Sequence, residues 1–253
     1  MLKSRALELT MISLNGALYA VVGYMTFLGL FAPVVGVVRF WPGVFVPAVF
    51  AVLFGPFVGG AGAAIGIFLS DMVVHGNALL SLTVGVPANF VAFYLIGFIS
   101  NRRFDRGSRY LGLTLSLAAL AVLLVWSFFL PFQGGETLVW LGIAIISVPV
   151  AVALTLAWPR WGRYQLAVFA GNLVGSIIVG VGVWVYSQFF TLPGGSQNLP
   201  VVAAYVLIVF TFMNQLPFLL VVVPPVLKAC YRAFPAFVRS PDSEGSKVRA
   251  SDP

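Results

Sequence analysis

Eight stretches of this chain are apolar over roughly the 20 residues a helix needs to cross a hydrocarbon core of about 30 Å. They fall near 10–31, 41–57, 59–75, 85–100, 110–130, 138–158, 165–188 and 200–227. Lipid offers backbone N–H and C=O groups no partner, so such stretches must close their hydrogen bonds internally as helices. The chain is therefore expected to fold as an all-α, polytopic membrane helix bundle of about eight transmembrane helices. Composition agrees: only 8% of the 253 residues are charged, against roughly 25% in a soluble domain. The second and third stretches are short and meet at Gly55-Pro56-Phe57-Val58-Gly59-Gly60, which reads as a tight turn between antiparallel helices. The apolar run Met11–Phe31 is too long for a signal-peptide core and reads as an uncleaved first span.

Charge placement predicts the orientation. With the N-terminus inside, 13 of the 14 Lys and Arg fall in inside segments, and only Arg39 falls outside. This is the positive-inside bias, and it puts both termini in the cytoplasm of a multi-pass protein of the cell membrane. The net charge of +7 is then a topology signal and gives no reason to expect a nucleic-acid partner. Residues 1–231 read as a single transmembrane domain. The Ser- and Pro-rich residues 232–253 read as a disordered cytoplasmic tail.

Within this apolar background, the stretch from Arg39 to Ile99 carries the ionisable groups. Arg39 precedes the second span, and Asp71 and His75 occupy the third at a spacing of i, i+4, which places both on one helix face. Counted from the turn at Gly59, Asp71 lies about 18 Å across at 1.5 Å per residue, in the outer half of the membrane. Asn77 follows the third span and Asn89 lies in the fourth. These five residues are candidates to converge below the outer surface, because ionisable groups at membrane depth usually mark substrate or ion paths. A structural alternative is a simple Arg39–Asp71 pair. Asp71 and His75 are two potential metal ligands, too few to define a metal site. Trp41 is placed either for an interfacial aromatic belt or to stack on a ligand.

A second polar set is Asn15, Asn172, Asn214 and Gln215. Asn15 and Asn172 read as amides that bridge helices. Asn214 and Gln215 precede Pro217, which frees a backbone carbonyl, and they suit either a structural or a ligand-facing role. Gly62, Gly66 and Ser70 make a small-residue face on the third span; Gly16, Ala20 and Gly23 do so on the first, and Ala167, Gly171 and Gly175 on the seventh. Such faces let helix backbones approach closely. The sequence has no Gly-x4-Gly-Lys-Ser/Thr motif, hence no phosphate-binding loop of its own. Asp71 alone among the seven acidic residues sits at membrane depth. Neither paired acids nor a nucleophile with its base can be picked out, so enzymatic activity is not expected.

The segment from Arg39 to Ile99, with "LFGPFVGGAGAAIG", an Asp near the outer end of the next helix and "GVPANFVAFYLIGFI", resembles the substrate-binding S components of energy-coupling factor (ECF) transporters. The final "MNQLPFLLVVVPPVLK" is similar to the end of that family's last helix. The resemblance implies a six-helix core, here with an extra pair at about 110–158. It implies capture of a vitamin-like small molecule near the outer surface by Arg39, Trp41, Asp71, His75, Asn77, Asn89, Asn214 and Gln215. The pocket would be closed by loops at about 32–41 and 75–85. It implies partners: an ECF transmembrane coupling subunit, met through Gly16 and Ala20, and two ATPases. The N-terminal His of the family's metal-binding branch is missing from Met1-Leu2-Lys3, so no nickel or cobalt substrate, other metal or cofactor is implied. Asp71 also suits ion coupling in a self-sufficient secondary transporter.

Overall fold

The structure, a computed structural model, describes residues 5–29, 34–35, 38–39, 41–102 and 162–233, with isolated positions between 110 and 153. Six helices make up the described part: α1 (Arg5–Gly29), α2 (Pro42–Phe54), α3 (Pro56–Val74), α4 (Ala78–Ser100), α5 (Gly162–Phe189) and α6 (Val201–Ala233). All but α2 are long and apolar enough to cross a membrane. The chain is thus a multi-pass helical membrane protein. The fifth and sixth expected spans, 110–130 and 138–158, lie outside the described residues, as does the tail beyond Ala233.

Local chemistry sets the boundaries. Pro42 and Pro56 occupy the first turns of their helices, where a missing N–H costs nothing. Gly55 joins α2 to α3 with φ of +111°, a conformation that side chains with a Cβ rarely adopt. The side-chain oxygen of Asn77 caps α4 by accepting a bond from Leu80 N–H (2.9 Å). α4 thus begins at Ala78, seven residues before the predicted start, and most of the supposed 75–85 loop is helix.

Both α4 and α6 widen for one π turn, Ser81–Gly85 and Phe218–Val222. Each ends two residues before a proline, Pro87 and Pro224. Proline cannot donate to the helical ladder, and one-turn π bulges are a common way to absorb such a break. In the widened register Leu219 C=O would look to position 224, which has no N–H. The buried Tyr164 hydroxyl donates to it instead (2.7 Å).

Small residues decide the packing. α1 and α3 run parallel: Asn15 Nδ2 donates to Val58 C=O (3.0 Å), and Ser70 Oγ donates to Ala20 C=O (3.3 Å). A Cβ on Gly62 would overlap the Asn15 side chain, and one on Gly66 would come within 2.8 Å of Tyr19 and Gly16. α4 crosses antiparallel to α3 and α5; a Cβ on Gly97 would lie 2.7 Å from Pro56 Cα, and one on Gly171 2.6 Å from Ala92 C=O. α6 returns along α5, where Asn172 Nδ2 donates to Phe212 C=O (3.0 Å). Asn15 and Asn172 therefore bridge helices, as read from the sequence.

These directions sort the loops onto two faces. The N-terminal end of α1, the Gly55 turn, the C-terminal end of α4, the N-terminal end of α5 and the C-terminal end of α6 share one face. There Arg163 Nη1 donates to Arg102 C=O (3.1 Å). Apart from Arg39, the described basic residues Arg5, Arg102, Arg163, Lys228 and Arg232 lie towards this face. The opposite face carries the α3–α4 link, the α5–α6 loop and a departure from pure helix, the short antiparallel hairpin β1 (Val34–Val35) and β2 (Val38–Arg39).

Two apolar clusters fill the bundle. The larger one runs through all six helices around Tyr19, Phe93, Phe212 and Leu216. The smaller lies at the hairpin face and joins Leu80, Val84, Val183, Tyr186, Leu192 and Leu207.

Candidate functional site

Between the two clusters the packing opens into a cavity of about 110 Å³, several times the roughly 10–15 Å³ that one water needs. Tyr19, Trp41 and Ile67 of the larger cluster form part of its wall, and Leu80, Val84 and Val183 of the smaller form another. Val38 of the hairpin contributes from above. The polar lining comes from Asp71, His75, Asn89, Thr211 and Gln215.

Asp71 is the electrostatic centre. Its Oδ2 accepts the Ser81 hydroxyl (2.7 Å), and its Oδ1 lies 3.4 Å from His75 Nε2. Ser81 belongs to the π turn of α4, so the proline-induced widening presents a donor to the carboxylate. A Cβ on Gly85 would lie 2.8 Å from Asp71 Oδ2, so a side chain there would push α4 off the acid. The His75 side chain is 10% exposed and that of Asp71 18%.

His75 is held from its other side. Asn77 N–H donates to His75 Nδ1 (3.1 Å), so Nδ1 is an acceptor and the ring N–H is on Nε2, towards Asp71. The Asn77 amide also pairs with the Tyr186 hydroxyl, at 3.1 and 3.2 Å. Below the acid, Tyr19 O–H donates to Asn89 Oδ1 (2.8 Å), and Asn89 Nδ2 donates to Gly85 C=O (2.9 Å). Thr211 Oγ1 donates to Leu207 C=O (2.7 Å).

Trp41 is buried at 8% exposure, which removes it from an interfacial belt. Its ring meets Tyr19 edge to face at 6.2 Å and uses the space left by Gly23, whose Cβ would overlap it. The buried Trp41 indole N–H lies towards the Tyr19 hydroxyl and makes no well-formed hydrogen bond among the described residues. Gln215 is half-buried and lines the cavity together with Thr211.

Of the sequence candidates, Trp41, Asp71, His75, Asn89 and Gln215 meet at this cavity. Asn77 stands behind it as a positioning residue. Asn214 is buried beside Gln215 but does not line the cavity. The Arg39 backbone lies in β2; its expected place at the site, and the alternative of a pair with Asp71, rest on a side chain outside the described residues. Among the described residues no third His, Cys, Asp or Glu joins Asp71 and His75 as a metal cluster.

Gly16 and Ala20 are placed differently from the partner contact the resemblance implies. Gly16 is buried against α3, where its Cβ would be 3.1 Å from Ile65 Cγ2, and Ala20 is half-buried with its carbonyl on Ser70. Their small size serves a contact inside the bundle. Leu14, Leu18, Val21 and Met25 form the exposed side of α1.

Tyr19, Ser81 and Thr211 were not singled out from the sequence. Tyr19 was findable, being four residues from Asn15 and from Gly23 on the small-residue face of α1. Ser81 gave no such signal, because only the early start of α4 turns it towards Asp71. No protein-family model, curated protein or solved structure matches the chain.

Proposed function

We propose that the chain captures a small polar molecule at this cavity, as the substrate-binding subunit of an ECF-type importer in the cell membrane. One observation carries the reading: a carboxylate at membrane depth, held by Ser81 and His75, borders a cavity roofed by a hairpin. Such a group has a high solvation cost in the absence of a use. The positive-inside bias places the hairpin face outside, so the molecule enters from there. The sequence carries no phosphate-binding loop, which fits a subunit that depends on separate ATPases. In this reading a vitamin-like solute binds between Tyr19, Trp41, Asp71, Asn89 and Gln215. The coupling subunit then meets surface other than the buried Gly16.

Two measurements test it. Co-expressed with an ECF coupling subunit and its two ATPases, the chain is expected to co-purify with all three in a fixed ratio. Mass spectrometry of the purified chain is expected to find one small molecule that is lost in Asp71→Asn and reduced in Gln215→Leu. Failure to recover the complex from native membranes would overturn the importer assignment. A second reading draws on the single membrane-depth carboxylate: Asp71 couples an ion in a self-sufficient transporter. Concentrative uptake into proteoliposomes of the chain alone, abolished by Asp71→Asn, would establish that reading instead.

A further inference from the structure

The charge that the cavity accepts follows from how His75 is held. An imidazole beside a carboxylate is ordinarily read as its counter-ion. Here the backbone N–H of Asn77 donates to His75 Nδ1 at 3.1 Å. A protonated ring would carry hydrogens on both nitrogens, and Nδ1–H would then face another N–H. Asn77 has little freedom to move away, since its side chain caps α4 and pairs with Tyr186. In this arrangement His75 turns Nε2 to Asp71 while its Nδ1 is engaged by the Asn77 N–H. Ser81 offers a neutral hydrogen bond (2.7 Å). Among the described residues the carboxylate is held by Ser81 and His75, and no Lys or Arg meets it.

The walls suit a flat occupant. Tyr19 and Trp41 bring aromatic surface to the same cavity as Asp71, and ring faces attract cations. Trp41 is 92% buried and its indole N–H lacks a hydrogen-bond partner among the described residues. It lies towards the Tyr19 hydroxyl without a well-formed bond to it, and an acceptor on the occupant would complete it. Gln215 adds an amide with both a donor and an acceptor.

We propose that the cavity selects a compact planar cation, an amidinium or a protonated amino-heterocycle with a neighbouring acceptor atom, with Asp71 as its counter-ion. This rests on the capture reading above and adds to it the charge of the captured group. The N–H groups of the cation meet Asp71, its plane lies against the aromatic wall, and its acceptor takes the Trp41 N–H. An anion of the same shape is repelled, because a charge pair at membrane depth is screened far less than in water.

Three probes of one shape and three charges test this: benzamidinium, benzamide and benzoate, titrated onto the full chain in nanodiscs. Benzamidinium is expected to bind about tenfold or more tighter than benzamide, and benzoate weakest. Asp71→Asn keeps an acceptor for Ser81 and is expected to bring benzamidinium and benzamide within about threefold of each other. Gln215→Glu, which adds a second carboxylate, is expected to widen the preference for the cation and serves if Asp71→Asn does not fold. Benzoate binding as tightly as benzamidinium, or none of the three binding, would overturn the proposal. If the complex with coupling subunit and ATPases forms while benzoate is preferred, the charge inference fails and the importer reading stands. If benzamidinium binds through Asp71 and no complex forms, the reverse holds.

Discussion

Asn15 and Gln215 are both amides within apolar helices, and the bundle uses them in opposite ways. Asn15 is fully buried and bonds to the carbonyls of Val58 and Gly59 across the α1–α3 contact. Gln215 is half-buried and borders a cavity. The difference extends to their surroundings. Around Asn15 the helices close to backbone distance, because Gly16, Gly62 and Gly66 leave no side chain between them. Around Gln215 two apolar clusters fail to merge, and polar groups line the seam. A polar residue in a membrane helix is thus structural where small neighbours let it reach a carbonyl. It is available for ligand where the packing opens.

The largest effect should come from filling the closed region. Gly62→Leu places a side chain where Asn15 now lies. Overpacking costs about 1–3 kcal/mol, and the lost Asn15 bonds add about 1 kcal/mol. Thermal unfolding in detergent is expected to drop by roughly 10 °C, or no monodisperse protein is recovered. A well-folded Gly62→Leu would break the contrast at its structural end.

Next in size is the removal of charge from the open region. Asp71→Asn is expected to weaken capture of the co-purified molecule by about 100-fold, consistent with the loss of a charge-assisted contact worth 1.5–3 kcal/mol. Its unfolding temperature should stay within a few degrees of wild type, because Asn retains an acceptor for Ser81. Loss of fold with unchanged affinity would make Asp71 structural.

Asn77→Ala tests the link between the two roles. Losing the α4 cap costs about 1 kcal/mol, read as a fall of a few degrees in the unfolding temperature. It also removes the Tyr186 contact that holds the Asn77 backbone on His75. Affinity is expected to fall by less than in Asp71→Asn, and a wild-type affinity would separate the cap from the site. The smallest stability effect is expected for Gln215→Leu, within about 0.5 kcal/mol by chemical denaturation, while binding weakens by about tenfold. A destabilisation as large as that of Gly62→Leu would place Gln215 with Asn15.

Much of this was readable in the residue order. The Gly55-Pro56 turn, the small-residue faces on α1, α3 and α5 and the bridging roles of Asn15 and Asn172 follow from size and polarity on a helical period. The i, i+4 spacing of Asp71 and His75 placed them together. Trp41 was misjudged as a possible belt residue because its burial depends on Gly23, eighteen positions earlier on another helix. The partner contact at Gly16 is implied by the resemblance alone, and a small-residue face does not say which neighbour it meets; here it meets Ile65 of α3. The helical content of 78–85 is not contained in the apolar stretch 85–100, because α4 starts early at Ala78 and passes through one π turn.

The amino-acid order by itself determined the class of the molecule: apolar runs of membrane length, a biased distribution of basic residues and one carboxylate at depth. These properties need only local spacing and transfer energies. Only the tertiary structure decided which polar groups face each other. It put Ser81 on Asp71, set Trp41 against Tyr19, and opened a cavity at the seam of two cores. The cavity wall gathers residues from Tyr19 to Gln215 and is set by close packing, whose outcome no single segment contains.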